Sequence, residues 1–147
     1  MAELGKTVDE LVIGEKASFS KTISESDVYL FAGICGDFNP LHVNEEYAKR
    51  IIFGRRVAHG ALITSLAFPV MGTKLPGLGT IAVEVSTRYR APVYIGDTVT
   101  ATCEVVEKKP DANLVKMNLT WTKQDGTVVA EGEALVMPPP KRLKERL

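Results

Sequence analysis

An acid and an imidazole lie close together in the first half of this chain. The run from Gly36 to His42 reads Gly-Asp-Phe-Asn-Pro-Leu-His, which places Asp37 and His42 five residues apart. Pro40 disfavours helical geometry at the asparagine before it, so the run predicts a turn in which both side chains reach one point. A histidine can accept and return a proton near neutral pH, and a carboxylate can orient it. The pair therefore indicates general acid–base chemistry, although a turn-forming aspartate beside a surface histidine would look the same.

A second feature follows at His59 and Gly60, directly before the most apolar stretch of the chain. A backbone N–H at the start of a helix can hold negative charge that develops on a carbonyl oxygen. The alternative is that Gly60 only makes a tight turn and that His59 packs against a sheet. Residues 60–72 have almost no polar positions, which predicts a buried helix that bends or ends at Pro69.

The rest of the chain predicts the elements that position these residues. An edge strand is expected over Lys16–Ile23, followed by a helix that Ser24 caps and Gly36 ends, and a short helix restarts near Asn44. Strict alternation of apolar and polar residues then predicts four strands. These strands cover residues 81–90, 99–105, 115–121 and 127–137.

This order of elements predicts an α+β fold, with the apolar helix lying on one face of an antiparallel sheet. One sheet covers only part of a helix that is apolar on every side, so a second copy of the chain is expected to cover the remainder. The 147 residues are expected to form one domain over residues 1–140, with a short basic tail at 141–147.

Composition excludes several classes of function. Lys+Arg and Asp+Glu both number 18, so no net charge favours nucleic acid or an anionic membrane as a partner. The chain has no apolar run of the ~18 residues that a membrane span needs, and its first residues do not look like a secretory signal. We therefore expect a cytoplasmic protein with no membrane partner. Cys35 and Cys103 are expected to be buried free thiols, with no metal-ligand spacing.

The motif as a whole resembles a known family. The run Gly36–His42, followed by Ala48 and by Ala58-His59-Gly60, resembles the hydratase-2 signature of MaoC-like dehydratases and (R)-specific enoyl-CoA hydratases. The resemblance extends over nearly the whole chain. It implies a hotdog fold, in which an antiparallel sheet wraps a long central helix and an overhanging segment carries the catalytic motif. It also implies assembly as a homodimer or a dimer-based oligomer.

The resemblance further implies an activity and a set of site residues. The activity is that of a hydro-lyase of fatty acid metabolism: reversible hydration of trans-2-enoyl-CoA to (R)-3-hydroxyacyl-CoA. CoA belongs to the acyl-CoA substrate, and neither a cofactor nor a metal is expected. Asp37 and His42 match the catalytic pair that activates water, and sequence leaves open which of them is the base. Gly60 matches the residue whose N–H holds the thioester oxygen, and Asn39 matches a position that shapes the loop.

One position departs from the family pattern. Some members carry a serine in the buried helix, one turn beyond Ser65, that supports the catalytic aspartate. In an ungapped alignment this site falls on Phe68, so Ser65 and Thr64 are the candidates to take over that role. We include Ser65 and Phe68 as pocket residues and expect Phe68 to shorten the pocket in favour of short acyl chains.

Three alternatives stay open on the sequence alone. A hotdog thioesterase would act on the same class of substrate, but the arrangement from Asp37 to His42 is not typical of that group. A non-catalytic acyl-CoA-binding subunit could keep the fold, but it would not need both side chains. A metal site made by Asp37, His42 and His59 is the third alternative.

Overall fold

A computed structural model of the chain describes residues 3–146, and its centre is a single antiparallel sheet of five strands. The spatial order is β1-β3-β4-β5-β2, so β1 and β2 form the two edges and β2 pairs with β5, the last strand. The strands are β1 (Lys16–Thr22), β2 (Ile81–Tyr89), β3 (Thr98–Lys109), β4 (Leu114–Lys123) and β5 (Val128–Met137). Their bounds lie close to those predicted, and the α+β class is confirmed.

Six α-helices accompany the sheet in the described residues. They are α1 (Glu25–Cys35), α2 (Pro40–Val43), α3 (Glu45–Ala48), α4 (Gly60–Ser65), α5 (Ala67–Thr73) and α6 (Lys141–Lys144). None of those helices has the length and apolar content needed to cross a bilayer. The described part of the arm before β1 (residues 3–15) contains neither helix nor strand, yet it buries Leu11 in the core, and the basic tail carries α6. The last tail residue lies outside the described residues.

The core lies between α4, α5 and one face of the central strands. Alternate residues of β3 and β4 are buried as their period of two predicts, because successive side chains of a strand point to opposite faces. Trp121 is fully buried in this layer. Cys103 is buried as predicted, and burial raises the pKa of its thiol to about 12. Cys35 is exposed instead, because it ends α1 on the solvent side, so the prediction for that cysteine is wrong.

The predicted long helix is divided into α4 and α5 at Leu66. The N–H of Leu66 bonds to the carbonyls of Ile63 and Thr64 instead of the fourth residue back. Pro69 has no N–H to donate to the carbonyl of Ser65, so the regular helical ladder fails one turn before the proline. Phe68 and Pro69 are exposed, and the chain therefore leaves part of this apolar helix uncovered.

The edge strand β2 also exposes apolar side chains. Alternation predicts one apolar face from Ile81 to Tyr89, but Ile81, Val83 and Tyr89 are 60%, 53% and 57% exposed. A register shift between Ala82 and Glu84 interrupts the pairing with β5. In this chain alone, nothing among the described residues packs over that end of the sheet.

Candidate active site

Asp37 begins a loop that leaves α1 at a sharp angle. Gly36 ends the helix with a φ of 81°, a left-handed conformation that glycine adopts without steric cost. One oxygen of the Asp37 carboxylate, Oδ1, accepts a hydrogen bond from the N–H of Asn39 at 3.2 Å. This local bond orients the carboxylate, and half of the Asp37 side chain stays exposed at 51%.

His42 lies on α2, a single helical turn that the sequence analysis did not predict. Asn39 is its N-cap: the side-chain oxygen of Asn39 accepts from the N–H of Leu41 at 3.2 Å, and Pro40 takes the first helical position. Both residues favour these positions, so an asparagine followed by proline was a signal for a helix start. Asn39 thus has a structural role in the motif: as the N-cap of α2, it stabilises the start of the helix that carries His42.

The His42 ring is buried, with 8% of the residue exposed. Its Nδ1 lies 2.6 Å from the carbonyl oxygen of Val57. A carbonyl only accepts, so Nδ1 carries the proton and Nε2 keeps a lone pair. Nε2 lies 3.7 Å from Oδ2 of Asp37. Burial lowers the pKa of His42 below its ordinary value, and neighbouring His59 lowers it further, against the opposing effects of the Val57 carbonyl and Asp37.

His59 belongs to the same cluster. It is 2% exposed, and its ring stacks on that of His42 with centroids 3.9 Å apart and planes 28° apart. Phe31 of α1 packs on it at 5.0 Å, and Nε2 of His59 donates to the backbone oxygen of Asp37 at 2.9 Å. The alternative in which His59 packs against the sheet is therefore not what the structure shows.

A cavity of about 420 Å³ opens beside this cluster. His42 and Gly60 are part of its wall, and Arg90 also lines it. Most of its other lining is apolar, contributed by Leu41, Phe53, Val57, Ile63, Val93 and Val129. Such a space accommodates an apolar group beside the lone pair of a buried imidazole.

Gly60 lines this cavity beside Tyr89. A Cβ at this position would lie 2.6 Å from a ring carbon of Tyr89, so only glycine fits without displacing that ring. Gly60 is the first residue of α4, so its N–H has no acceptor within the helix. The other two predicted pocket residues lie elsewhere: Ser65 Oγ donates to the Leu62 carbonyl at 2.6 Å, and Phe68 is exposed. Neither lines this cavity, and their roles stay predictions.

Asp37, His42 and His59 have the spacing of a metal site, with donor atoms within 4.8 Å of one another. A metal shared by two imidazoles must lie close to both ring planes, because each nitrogen lone pair points within its own ring. The two rings here are stacked and only 28° from parallel, so their lone pairs run side by side rather than converge. This geometry suits proton transfer better than metal binding.

Comparison with known proteins agrees with this geometry. The family described as MaoC like domain matches residues 9–126 of the chain. The chain belongs to the MaoC-like family. The run Gly36–His42, Gly60 and all of the cavity lining except Val129 fall within the matched residues, whereas β5 and the tail follow them.

Three relatives are similar over most of their length. The (R)-specific enoyl-CoA hydratase of Rhodospirillum rubrum is 50% identical over 131 residues, which are 89% of this chain and 90% of that protein. The 3-hydroxybutyryl-CoA dehydratase of Methylorubrum extorquens is 42% identical, over 90% of this chain and 84% of the relative. The unliganded R-hydratase PhaJ1 of Pseudomonas aeruginosa superposes with a TM-score of 0.88 at 38% identity, covering 95% of this chain and 89% of that one.

Proposed function

We propose that this protein is a hydro-lyase that reversibly hydrates trans-2-enoyl-CoA to (R)-3-hydroxyacyl-CoA. The observation that carries the proposal is the pairing of the His42 lone pair with the Asp37 carboxylate, 3.7 Å apart at an apolar cavity. The names of the relatives in Rhodospirillum rubrum and Methylorubrum extorquens support both the reaction and its acyl-CoA substrate. The (R) configuration rests on those relatives.

The geometry supplies a site for the water that adds to the substrate. A gap of 3.7 Å between Nε2 of His42 and Oδ2 of Asp37 is too long for a direct hydrogen bond. One water oxygen between them can bond to both atoms. The water oxygen then forms a bond to C3 while His42 Nε2 takes one water proton, and the resulting imidazolium returns that proton to C2. Asp37 orients the water and stabilises the positive charge on the ring.

The thioester oxygen gains negative charge as the water adds. Gly60 N–H, at the wall of the same cavity, is the donor proposed to hold it. A fixed donor of this kind stabilises the transition state more than the substrate, because the charge is largest there. The reaction moves protons and one water only, so no cofactor and no metal is proposed.

The acyl chain is proposed to be short. The relative in Methylorubrum extorquens is named for a four-carbon hydroxyacyl-CoA, and in an ungapped alignment Phe68 falls where some members of the family carry a serine. Phe68 lies outside the cavity of a single chain, so its effect on chain length depends on a second copy. Hydration rates that rise steadily from four-carbon to long enoyl-CoAs would contradict the proposal of a short pocket.

A homodimer is proposed as the functional assembly. The edge strand β2 leaves backbone groups free for pairing and exposes Ile81 and Val83, whereas exposed apolar edges are rare in monomers. The opposite edge, β1, is shorter and carries Lys16 and Lys21, which discourage pairing. Antiparallel pairing of β2 with its copy would extend the sheet about a two-fold axis and would bring cover to Ile81 and Val83.

The activity is tested with crotonyl-CoA and purified protein in buffer containing EDTA. Loss of the conjugated enoyl-thioester absorbance is followed while free thiol is measured alongside. We expect absorbance loss without thiol release, reduced by at least about 10³-fold in Asp37→Asn and in His42→Ala. Circular dichroism of each variant checks that the fold is retained.

Other outcomes would identify the alternatives. Release of free CoA at the rate of absorbance loss would make the protein a thioesterase. Binding of acyl-CoA without turnover of any enoyl-CoA would make it a binding subunit. Activity that disappears with EDTA and returns with a divalent metal would assign the cluster of Asp37, His42 and His59 to a metal.

A further inference from the structure

His59 is the most deeply buried polar residue of the site, and the reaction described above gives it no role. Only 2% of it is exposed. Its ring contacts His42 of α2 at 3.9 Å and Phe31 of α1 at 5.0 Å, between ring centroids. Its Nε2 lies 2.9 Å from the backbone oxygen of Asp37. One side chain therefore joins the start of α4 to α1, to the Asp37 loop and to α2.

The bond to Asp37 determines where His59 carries its proton. A carbonyl oxygen only accepts, so Nε2 must be the protonated nitrogen. The other nitrogen, Nδ1, is buried without a hydrogen-bond partner among the described residues. A proton there would leave a buried donor unsatisfied, which is costly, whereas a lone pair is tolerated more easily. The neutral ring with its proton on Nε2 is thus the form that fits.

The loop that carries Asp37 depends on this bond. Within the described residues, every other hydrogen bond of Gly36, Asp37, Phe38 and Asn39 runs to a residue between 32 and 42. The Asp37 carboxylate is half exposed at 51%, and its one hydrogen-bond donor within residues 3–146 is the N–H of Asn39 in the same loop. The His59 bond is consequently the one hydrogen bond, among the described residues, that joins these four residues to a distant part of the chain.

We propose that His59 is a positioning residue: a neutral imidazole, protonated on Nε2, that anchors the Asp37 backbone so that its carboxylate stays opposite Nε2 of His42. The His59 ring also stacks on the ring of His42. The role in catalysis rests on the proposed hydration reaction. The anchoring itself does not, because it can be measured without substrate.

The first measurement is the protonation of the two rings. The chain has two histidines, so ¹⁵N NMR of untagged, histidine-labelled protein at neutral pH shows the signals of two imidazole rings. The signals that are missing from the spectrum of His59→Gln belong to His59. We expect opposite tautomers, with the proton on Nδ1 in His42 and on Nε2 in His59. A His59 ring protonated on Nδ1, or charged, would overturn the proposal whether or not the protein hydrates crotonyl-CoA.

The second measurement uses two matched variants. His59→Gln keeps a donor near the position of Nε2 but removes the ring, and His59→Phe keeps a flat ring but removes the donor. We expect hydrogen exchange of residues 36–42 to accelerate in His59→Phe and to change little in His59→Gln. We expect kcat to fall by about 30-fold or more in His59→Phe and by less than about 5-fold in His59→Gln, with KM changed little in both.

These outcomes separate positioning from mere packing. Wild-type kcat in His59→Phe, or equal losses in the two variants, would show that the hydrogen bond does not position Asp37 and would overturn the proposal. If the wild-type protein does not hydrate enoyl-CoA, the proposed function fails, while the tautomer and the exchange pattern still decide whether His59 anchors the loop. If His59→Phe does not fold, the anchoring proposal is tested by the tautomers of the two histidines and by the activity of His59→Gln. Loss of most activity in His59→Gln would then contradict the proposal.

Discussion

At the scale of the residue, the site depends on which nitrogen of His42 is free. The Val57 carbonyl oxygen accepts a hydrogen bond from the Nδ1–H of His42, with an N···O distance of 2.6 Å, so the Nε2 lone pair faces Asp37. An imidazole that is buried in this way resists protonation, and the pKa of His42 is lowered mainly for that reason. His42 is therefore prepared to accept a proton from water at neutral pH.

The lowered pKa of His42 predicts the pH dependence of activity. The neutral His42 ring is the active form in the proposed reaction. We therefore expect kcat/KM to stay constant as the pH falls to 6.5, the ordinary pKa of histidine, and to decrease only at lower pH. The unfolded chain takes up this proton at higher pH than the folded chain, so His42 should also reduce stability as the pH falls below 6.5. Steady-state rates with crotonyl-CoA across pH 4.5–9, roughly the range over which histidines titrate, give the midpoint of the decrease in kcat/KM. A midpoint clearly above the ordinary pKa of histidine would contradict the assignment of neutral His42 as the base.

The Gly60 N–H, the proposed oxyanion donor, can be tested with two matched substitutions of Gly60. Gly60→Pro removes the N–H at the first position of α4, where proline is otherwise accepted, and His59 already has the extended ψ of 132° that proline requires before it. Gly60→Ala is the matched control, because it adds the same Cβ near Tyr89 but keeps the N–H. We expect kcat in Gly60→Pro to be lower than in Gly60→Ala by about 10²-fold or more. Equal rates would show that this N–H does not hold the oxygen.

At the scale of the element, α1 matters because both of its ends are fixed. Ser24 and Asp27 form a reciprocal capping box at its start, and Gly36 ends it in the left-handed conformation that directs the chain into the Asp37 loop. The helix also brings Phe31 against His59. Farther along, Arg56 connects α1 to α3 by bonds to Glu25 at 2.7 Å and to Glu45 at 3.0 Å. These contacts hold the overhanging segment in place over the sheet.

The cap of α1 predicts a measurable loss of stability. Ser24→Ala removes the acceptor of the Asp27 N–H, which should cost about 1 kcal/mol of unfolding free energy. Ser26→Ala is the control, since Ser26 is an exposed serine of the same first turn that does not form the cap. Urea denaturation of both variants measures the difference. Equal midpoints for the two variants would show that the capping box contributes nothing to the fold.

At the scale of the whole molecule, the chain looks incomplete on one side. The exposed residues of β2 lie on an open sheet edge, and Phe68 is exposed on a helix whose sequence is apolar on every side. A second copy of the chain that buried these apolar side chains would remove them from water, which is favourable. The acyl-CoA partner and the cytoplasmic location stay predictions from the sequence and the family.

The dimer is tested by charge on the β2 edge. Wild-type protein should show a mass near twice the 16.0 kDa of one chain by light scattering. Ile81→Lys combined with Val83→Lys should shift it to the monomer, because like charges on a paired edge repel and cannot be buried. Ser18→Lys, an exposed change on the opposite edge strand β1, should leave the dimer intact. A dimer that persists in the double variant would place the interface elsewhere.

The sequence alone determined the family, the α+β class, the strands of the core and the Asp37–His42 pair. Each of these depends on local information: alternation along a strand, capping residues, or residue types at fixed spacing in a motif. The helix α2 is also encoded locally, because Asn39 and Pro40 favour the first positions of a helix. The same two residues also favour turns, and the sequence therefore predicts a turn there.

Only the tertiary structure decided the rest, because the remaining features depend on contacts between distant residues. The proton on His42 is fixed by Val57, fifteen residues away, and the Asp37 loop is anchored by His59, twenty-two residues away. The position of β2 at a sheet edge beside β5 follows from the pairing order of the strands, and this is why its alternating apolar residues are exposed rather than buried. Periodicity shows which face of a strand is apolar, but it does not show which neighbour, or which second copy, covers that face.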